Sequence, residues 1–546
     1  MQHSFALRRI AALLVVALLG TACTKVDTAG AGGRHPFTIA HTLRFAAAEN
    51  LVGLNPLLNT QAVVNYLAQM TMAYLVRGDA ENQPMPELAL EVPTKANGGI
   101  SADGKTITYH LRHGIVWSDG VPFTADDVVF STKLILDPKT NVVSRDGWDR
   151  ITSIGEPDKY TVVYHLKQQY APYSVTFFSS MGANPAILPQ HLLRDTKDIN
   201  TDPYNALPVG IGPFKYLEWK RGDSVVLVPN PRYFRGAPKL QRVVYKEIQD
   251  RNVVLEELRT HELDLWVPVA PHYINDVRAI PSTTVHLVPS FYFDHLDFNN
   301  SRPALKDPVV RRALRMAIDR PLLLKKIRFG VYDLTESVVP KVSAFHENLP
   351  AVPFDIAGAN KLLDGAGWTR GADGIRQKGG VRLSLDFASS AGTPDTDTQN
   401  ELIRGWWKQL GVDLEIKHYL SSLFFAPIQD GGIVYSGKFD VIVFAWGGDP
   451  VQDLSNLYGC KSFPPAGQND PRYCDPAVSA AMNSAKLEYE PQKRAAGMKL
   501  IQERFDRDAP IVVLDSRNEI SAYNDDLKNW HPNAVSEFDD MMNVDI

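Results

Sequence analysis

An α/β fold of at least two lobes, with a small sheet-rich module beside them, is what three features of this sequence predict. Strand, helix and strand patterns alternate through VVYKEI, NVVLEELRTHE and LDLWVPV, and the rhythm returns in GANKLLDGAGW, VRLSLDFASS, TQNELIRGWWKQLG and VDLEIKHY. Between about residues 95 and 205, short segments of period-two alternation follow one another instead. With 546 residues, 44% of them hydrophobic and 22% charged, the chain is ordinary globular material too long for one core.

From His41 to Pro93 the pattern is a strand, the loop ENLVGLNPLLN, an amphipathic helix and a polar turn. KTITYHLRHG then alternates Ile107, Tyr109 and Leu111 as a half-buried strand. Ser118-Asp119-Gly120 turns the chain, and Thr124 with Asp127 three residues on reads as a capping box that opens a helix. Val128, Val129, Thr132, Ile135 and Leu136 share a face of it, and Asp137-Pro138 stops it. TVVYHL (161–166) is a strand, and 210–234 holds two strands joined at Arg221-Gly222-Asp223 as a hairpin.

FYFDHLDFNN (291–300) is a further strand. DPVVRRALRMAIDRPLLLKKI reads as a helix with its arginines on the wet face, and AVSAAMNSAKLEYEPQKRAAGMKLIQERFDRDAP as another helix. FDVIVFAWGGDP and IVVLDSRNEISAY are strands, and a loop-like tail can return to the first lobe.

The N-terminus carries Arg8 and Arg9, an apolar run from Ile10 to Leu19, then small residues and Cys23, the layout of a secretory signal too short to span a bilayer. Loss of residues 1–22 would take the net charge from −5 to −7, because two arginines and no acid leave. No basic run gives an electrostatic footprint for nucleic acid. Cys460 and Cys474 close a short proline-rich loop, which in an exported chain reads as a disulfide and has neither CxxC nor zinc spacing.

Local catalytic motifs fail on physical grounds. GIVYSGK (432–438) lacks the Ser or Thr that would hold magnesium and leads into a strand where a phosphate site needs a helix N-terminus. Neither GxSxG nor HExxH occurs, and the 14 histidines are scattered, so no catalytic residue, metal or cofactor is expected. Trp406 and Trp407 read as core. Trp446 follows an apolar strand and precedes Gly447-Gly448-Asp449-Pro450, at the strand end where open α/β sheets bind ligands.

LRHGIVWSDGVPFTADDVVFS resembles the signature of the family 5 extracellular solute-binding proteins, the dipeptide- and oligopeptide-binding components of bacterial ABC importers. VGLNPLL before it, and GIGPFKYLEWKRGDSVVLVPNPRYF, LDFNNSRPALKDPVVRRALRMAIDR, LDGAGW, LGVDLEIK and WGGDP after it, appear in the family's order along nearly the whole mature chain. The resemblance implies a periplasmic-binding-protein fold, type II and cluster C-like, with an extra sheet-containing subdomain inserted in lobe I. It implies a signal peptide at 1–22, a flexible tether at 23–37, lobe I from 38–75, 207–292 and 516–546, the inserted subdomain at 76–206, and lobe II at 293–515.

The implied function is capture of a peptide or peptide-like solute in an interlobe cleft and delivery to permease subunits, by a monomer in the periplasm. The implied ligand contacts are Asp449 for a peptide's α-ammonium, with main chain at Ala445, Trp446, Gly447 and Gly448 and at Asn50, Leu51 and Val52. Cys23, after LLGTA, resembles a lipobox cysteine that would anchor the chain to the membrane. Gly20 stands where that pattern prefers leucine, so cleavage near Ala22 is the alternative.

The resemblance also matches the cysteine pair, Cys460 and Cys474. Relatives hold the peptide's carboxylate with arginines, whereas FASSAGTPDTD and FDVIVFAW contain none. A buried, unpaired carboxylate would cost several kcal/mol, which points to a longer, modified or non-peptide ligand. A sensor on the same fold, or an exported hydrolase, is the competing function.

Overall fold

The computed structural model describes residues 33–59, 61–142, 144–182, 185–391 and 394–546. The signal segment, Cys23 and most of the tether lie outside them.

A ten-stranded sheet runs through the molecule. Its order is Asp413–Tyr419, Ser384–Ser390, Val441–Gly447, Thr283–Phe298, Ile511–Asn524, Leu265–Trp266, Thr42–Ala46, Arg242–Lys246, Ser224–Pro229 and Phe214–Lys220. In one half, Thr42–Ala46 lies parallel to both Arg242–Lys246 and Leu265–Trp266, with the helix Arg251–Arg259 as the crossover. In the other, Ser384–Ser390 lies parallel to Asp413–Tyr419 and Val441–Gly447, and the helix Pro394–Gln409 crosses over. The expected strand LDLWVPV pairs over two residues only, because Pro268 has no N–H to continue the ladder.

The two long strands belong to both halves. Thr283–Pro289 pairs with Asn524–Asn518, and Phe293–Asp297 with Ser516–Ile511, with breaks of register at Pro289/Phe293 and Asp294/His295. The first of these strands begins eight residues earlier than the sequence pattern suggests, since Pro289 sits at the bulge and interrupts the alternation.

The sheet-rich segment builds its own sheet, ordered Thr106–His110, Thr161–Leu166, Ile151–Asp158, and the helix Ala125–Leu136 packs on it. Its core holds Tyr109, Trp117, Phe123, Tyr164 and Phe177. The capping box forms: Asp127 Oδ2 accepts the Thr124 N–H at 3.0 Å. Asp127 also accepts the Gln190 N–H at 2.9 Å and the Trp117 indole N–H at 3.3 Å, so the corner ties three segments together.

Two expectations fail in informative ways. DPVVRRALRMAIDRPLLLKKI is two helices, Pro308–Met316 and Arg320–Ile327, and Arg311, Arg315 and Arg320 are buried while Arg312 alone of this group is exposed. Arg311 donates to the carbonyls of Asp508 and Ala509 at the end of the helix Pro491–Asp508, where the dipole favours a cation. Arg315 and Arg320 share Glu336. The second expected helix is likewise a pair, Pro476–Leu487 and Pro491–Asp508, split because Pro491 disfavours helix at Glu490 and opens the next one.

The tail returns to the first half, where Leu527, Trp530, Phe538, Met541 and Ile546 join the core around Phe45 and Tyr245. Among the described residues no helix is long and apolar enough to cross a membrane.

Candidate functional site

Where the long strands change register, a cavity of about 320 Å³ opens between the halves. Tyr66 and Gln69 reach it from the helix Ala62–Thr71, and Phe291 and Tyr292 from the first long strand. Arg517 and Glu519 come from the second, and Glu537 from the tail.

Strand alternation puts Asp515, Arg517 and Glu519 on one face of Ile511–Asn524. Arg517 grips Asp294 bidentately at 2.8 and 2.7 Å, a fork geometry that is both strong and directional. Arg328 stands behind, 3.0 Å from Asp515 and 3.5 Å from Asp294. Burial opposes ionisation of Asp294, but Arg517 and Arg328 outweigh it and hold that carboxyl below the usual range.

The strand Val441–Gly447 and the turn after it carry the sequence-predicted group, of which Gly448 lines this cavity while Ala445, Trp446, Gly447 and Asp449 lie beside it outside the lining. Tyr292 lies opposite Gly447 across the ladder, and a Cβ on Gly447 would meet the Tyr292 ring at 2.6 Å. Glycine is what lets that ring lie across the strand end. Gly448 donates to the Phe291 carbonyl at 3.0 Å and lines the cavity. Trp446 packs between Phe444 and His295, with ring centroids 5.1 and 6.3 Å away. Ala445 lies opposite Asp294.

Asp449 begins the turn, its Oδ1 accepting the N–H groups of Val451 at 2.7 Å and Gln452 at 2.9 Å. Burial pushes its carboxyl up, against those two donors and the charge of Arg494. The turn also meets the sheet-rich module, whose core Val451 joins, and beyond the turn Ala171 N–H donates to the carbonyl of Lys486 in the helix Pro476–Leu487 at 2.9 Å.

Asn50, Leu51 and Val52 are elsewhere. Leu51 N–H donates to Glu247 and Val52 N–H to Gln61, whose side chain also binds the Asn50 carbonyl. These three do not line the cavity, and the Leu51 and Val52 N–H groups and the Asn50 carbonyl are engaged within the first half. Cys460 and Cys474 are bonded, S–S 2.10 Å, in the loop beyond the turn.

Residues 83–467 match the family model described as bacterial extracellular solute-binding proteins, family 5 Middle. The chain belongs to this family. It is 28% identical over 442 residues to Protein XP55 of Streptomyces lividans, covering 81% of this chain and 77% of the relative. It is 24% identical to the oligopeptide-binding protein AppA of Bacillus subtilis, covering 88% and 87%. Among solved structures, NikA from Brucella suis in complex with Fe(III)-EDTA superposes with a TM-score of 0.79 at 23% identity, covering 92% of this chain and 99% of that one. The fold is therefore the two-lobed α/β periplasmic-binding-protein fold, type II and cluster C-like. This family 5 solute-binding protein is a member of a class that binds and hands over solutes without transforming them.

Arg517, Glu519, Glu537 and Asn65 escaped the sequence reading of the family 5 protein's cleft. The one signal available was the period-two run Asp515, Arg517, Glu519 at the end of an apolar strand. Glu537 lies in a tail that reads only as loop, and Asn65 in an amphipathic helix.

Proposed function

We propose that this family 5 solute-binding protein captures a peptide or peptide-like solute between its lobes and delivers it to the permease of an ABC importer. The observation that carries the reading is a half-open strand end. Val441–Gly447 is paired along its whole length by the first long strand, from Phe298 opposite Val441 to Tyr292 opposite Gly447. On its other side, Ser384–Ser390 pairs only Val441 to Val443. Among the described residues the main chain of 444–447 thus keeps an open edge, the template an extended peptide uses when it adds a strand. AppA of Bacillus subtilis, similar in sequence, is named for oligopeptide binding, which supports the same reading.

In this reading Asp449 pairs with the peptide's α-ammonium through the oxygen its turn leaves over. Trp446, with Phe425 and Tyr292 exposed nearby at 42 and 47%, offers apolar surface to side chains. The register breaks at Pro289/Phe293 and Asp294/His295 are the hinge about which the lobes close. Export to the periplasm and anchoring through Cys23 complete the proposal, supported by the N-terminal sequence alone.

Native mass spectrometry of the purified mature protein, followed by denaturing analysis of what comes off, tests the reading. A heterogeneous set of peptides is the expected result. A single non-peptide species, or a cleft that ignores peptide libraries, overturns it in favour of another solute or of sensing.

A further inference from the structure

The cleft cavity is rich in acceptors that no donor meets. Glu519 and Glu537 both line it. Among the described residues, neither carboxylate receives a hydrogen bond from another residue, and Asn65 Oδ1 is buried without a partner in the same wall. Arg517 is the single cation lining the cavity among the described residues, and its fork is committed to Asp294. Burial pushes the Glu519 carboxyl up, and burial followed by the charge of Glu519 pushes Glu537 up to about 8. Two carboxylates sunk in one cleft repel each other, and the charge of Arg517, already forked to Asp294, offsets the burial of Glu519 only in part, so a further cation beside them would be favoured.

We propose that Glu519 and Glu537, together with Asn65 Oδ1, form a subsite for an organic cation, an ammonium or guanidinium group carried by the ligand, so that the preferred cargo is a basic peptide. Such a group is all donor and no acceptor, which is the complement of this wall. The rings of Tyr66 and Tyr292 line the same cavity and add π faces to which a cation is attracted. A metal ion fits less well: among the described residues no group of three or more histidine, cysteine or acidic side chains converges as metal ligands. The inference rests on the peptide-capture reading and deepens it by fixing the charge of the cargo.

Calorimetry on the mature protein, freed of co-purified ligand, tests it with three pentapeptide pools that differ only in carrying one lysine, norleucine or glutamate, and with spermidine as a non-peptide amine. The lysine pool is expected to bind at least tenfold more tightly than the norleucine pool, and the glutamate pool more weakly than both. In the double variant Glu519→Gln/Glu537→Gln the lysine-to-norleucine ratio falls to near one. Asn65→Asp, which adds a third carboxylate, raises that ratio, and it decides the matter if the double variant binds no pool.

Equal affinity of the lysine and norleucine pools for the unmodified protein overturns the subsite and leaves peptide capture standing. Spermidine binding that the double variant loses, with no peptide pool bound, supports the subsite and overturns peptide capture. A lysine preference that persists in the double variant, or no binding of any probe, overturns the subsite.

Discussion

Tyr489 in the second lobe accepts the main-chain N–H of Tyr170 at 3.1 Å, and its hydroxyl donates to the Gly104 carbonyl at 2.9 Å. One phenol thereby bridges two segments of the inserted module to the lobe it faces, with its ring edge-on to Tyr173 at 5.8 Å. These contacts exist only while module and lobe touch. Tyr489→Phe removes both hydrogen bonds and keeps the packing, at a cost of about 1 kcal/mol or more to this contact. Stopped-flow release of a bound peptide should accelerate about fivefold or more, and an unchanged rate would mean that closure does not depend on this bridge.

Asp449 has a structural use and a proposed binding use, which two substitutions separate. Asp449→Asn keeps an acceptor for Val451 and Gln452 but removes the charge. It should weaken binding of free-amine peptides by about 1.5 kcal/mol or more, as expected for a hydrogen bond to a charged group, and leave N-acetylated peptides nearly unaffected. Asp449→Ala should add a loss of thermal stability by opening the turn. Equal loss for both peptide classes by calorimetry would remove Asp449 from ammonium recognition.

Asp470 is fully buried and its carboxylate oxygens find no hydrogen-bond donor among the described residues. Burial, and then the charge of Asp297, push its carboxyl up to about 8. An unfolded aspartate ionises near pH 4. Between roughly pH 4 and pH 8 the unfolded chain has therefore lost a proton that the folded chain keeps, so stability falls as pH rises through this window. Asp470→Asn removes that contribution. Its melting temperature relative to the parent should climb from pH 5 to pH 8, with a gain of a few kcal/mol in stability. A pH-independent difference would show that Asp470 ionises normally.

The Cys460–Cys474 bond spans a separation of 14 residues in the loop that follows the Asp449 turn. Closing a loop of this length constrains the unfolded chain by about 3 kcal/mol. The double variant Cys460→Ala/Cys474→Ala should lose stability of that order in urea unfolding, and a thiol count on the oxidised parent should find neither cysteine reactive.

The parts of the fold that local chemistry governs were legible. Thr124 and Asp127 announce their helix because a capping box is written in four consecutive residues, and the hairpin at Gly222 because its turn needs a positive φ, here 75°. What was hidden depends on partners far along the chain. The arginines of Pro308–Met316 look like a wet face until the end of Pro491–Asp508 arrives to receive Arg311. The strand Thr283–Phe298 looks half its length because Pro289 breaks the alternation where a bulge absorbs it. In the cleft, Gly448 was readable from the strand-end turn. The acidic wall was not, since its members come from a helix, a crossing strand and an irregular tail that only the tertiary structure assembles.

The two long strands do more than join the halves. Each runs as continuous covalent chain through both, so in the proposed closure the relative motion of the halves would be taken up by bending at the bulges, like a door on a double pivot. Tyr292, Arg517 and Glu519 line the cavity from these same two strands, so in the proposed closure the groups facing a solute would ride on the pivot itself. A solute filling the gap beside them would then act as a wedge or a pin at the axis, where a small displacement is magnified into a large movement of the distant rims.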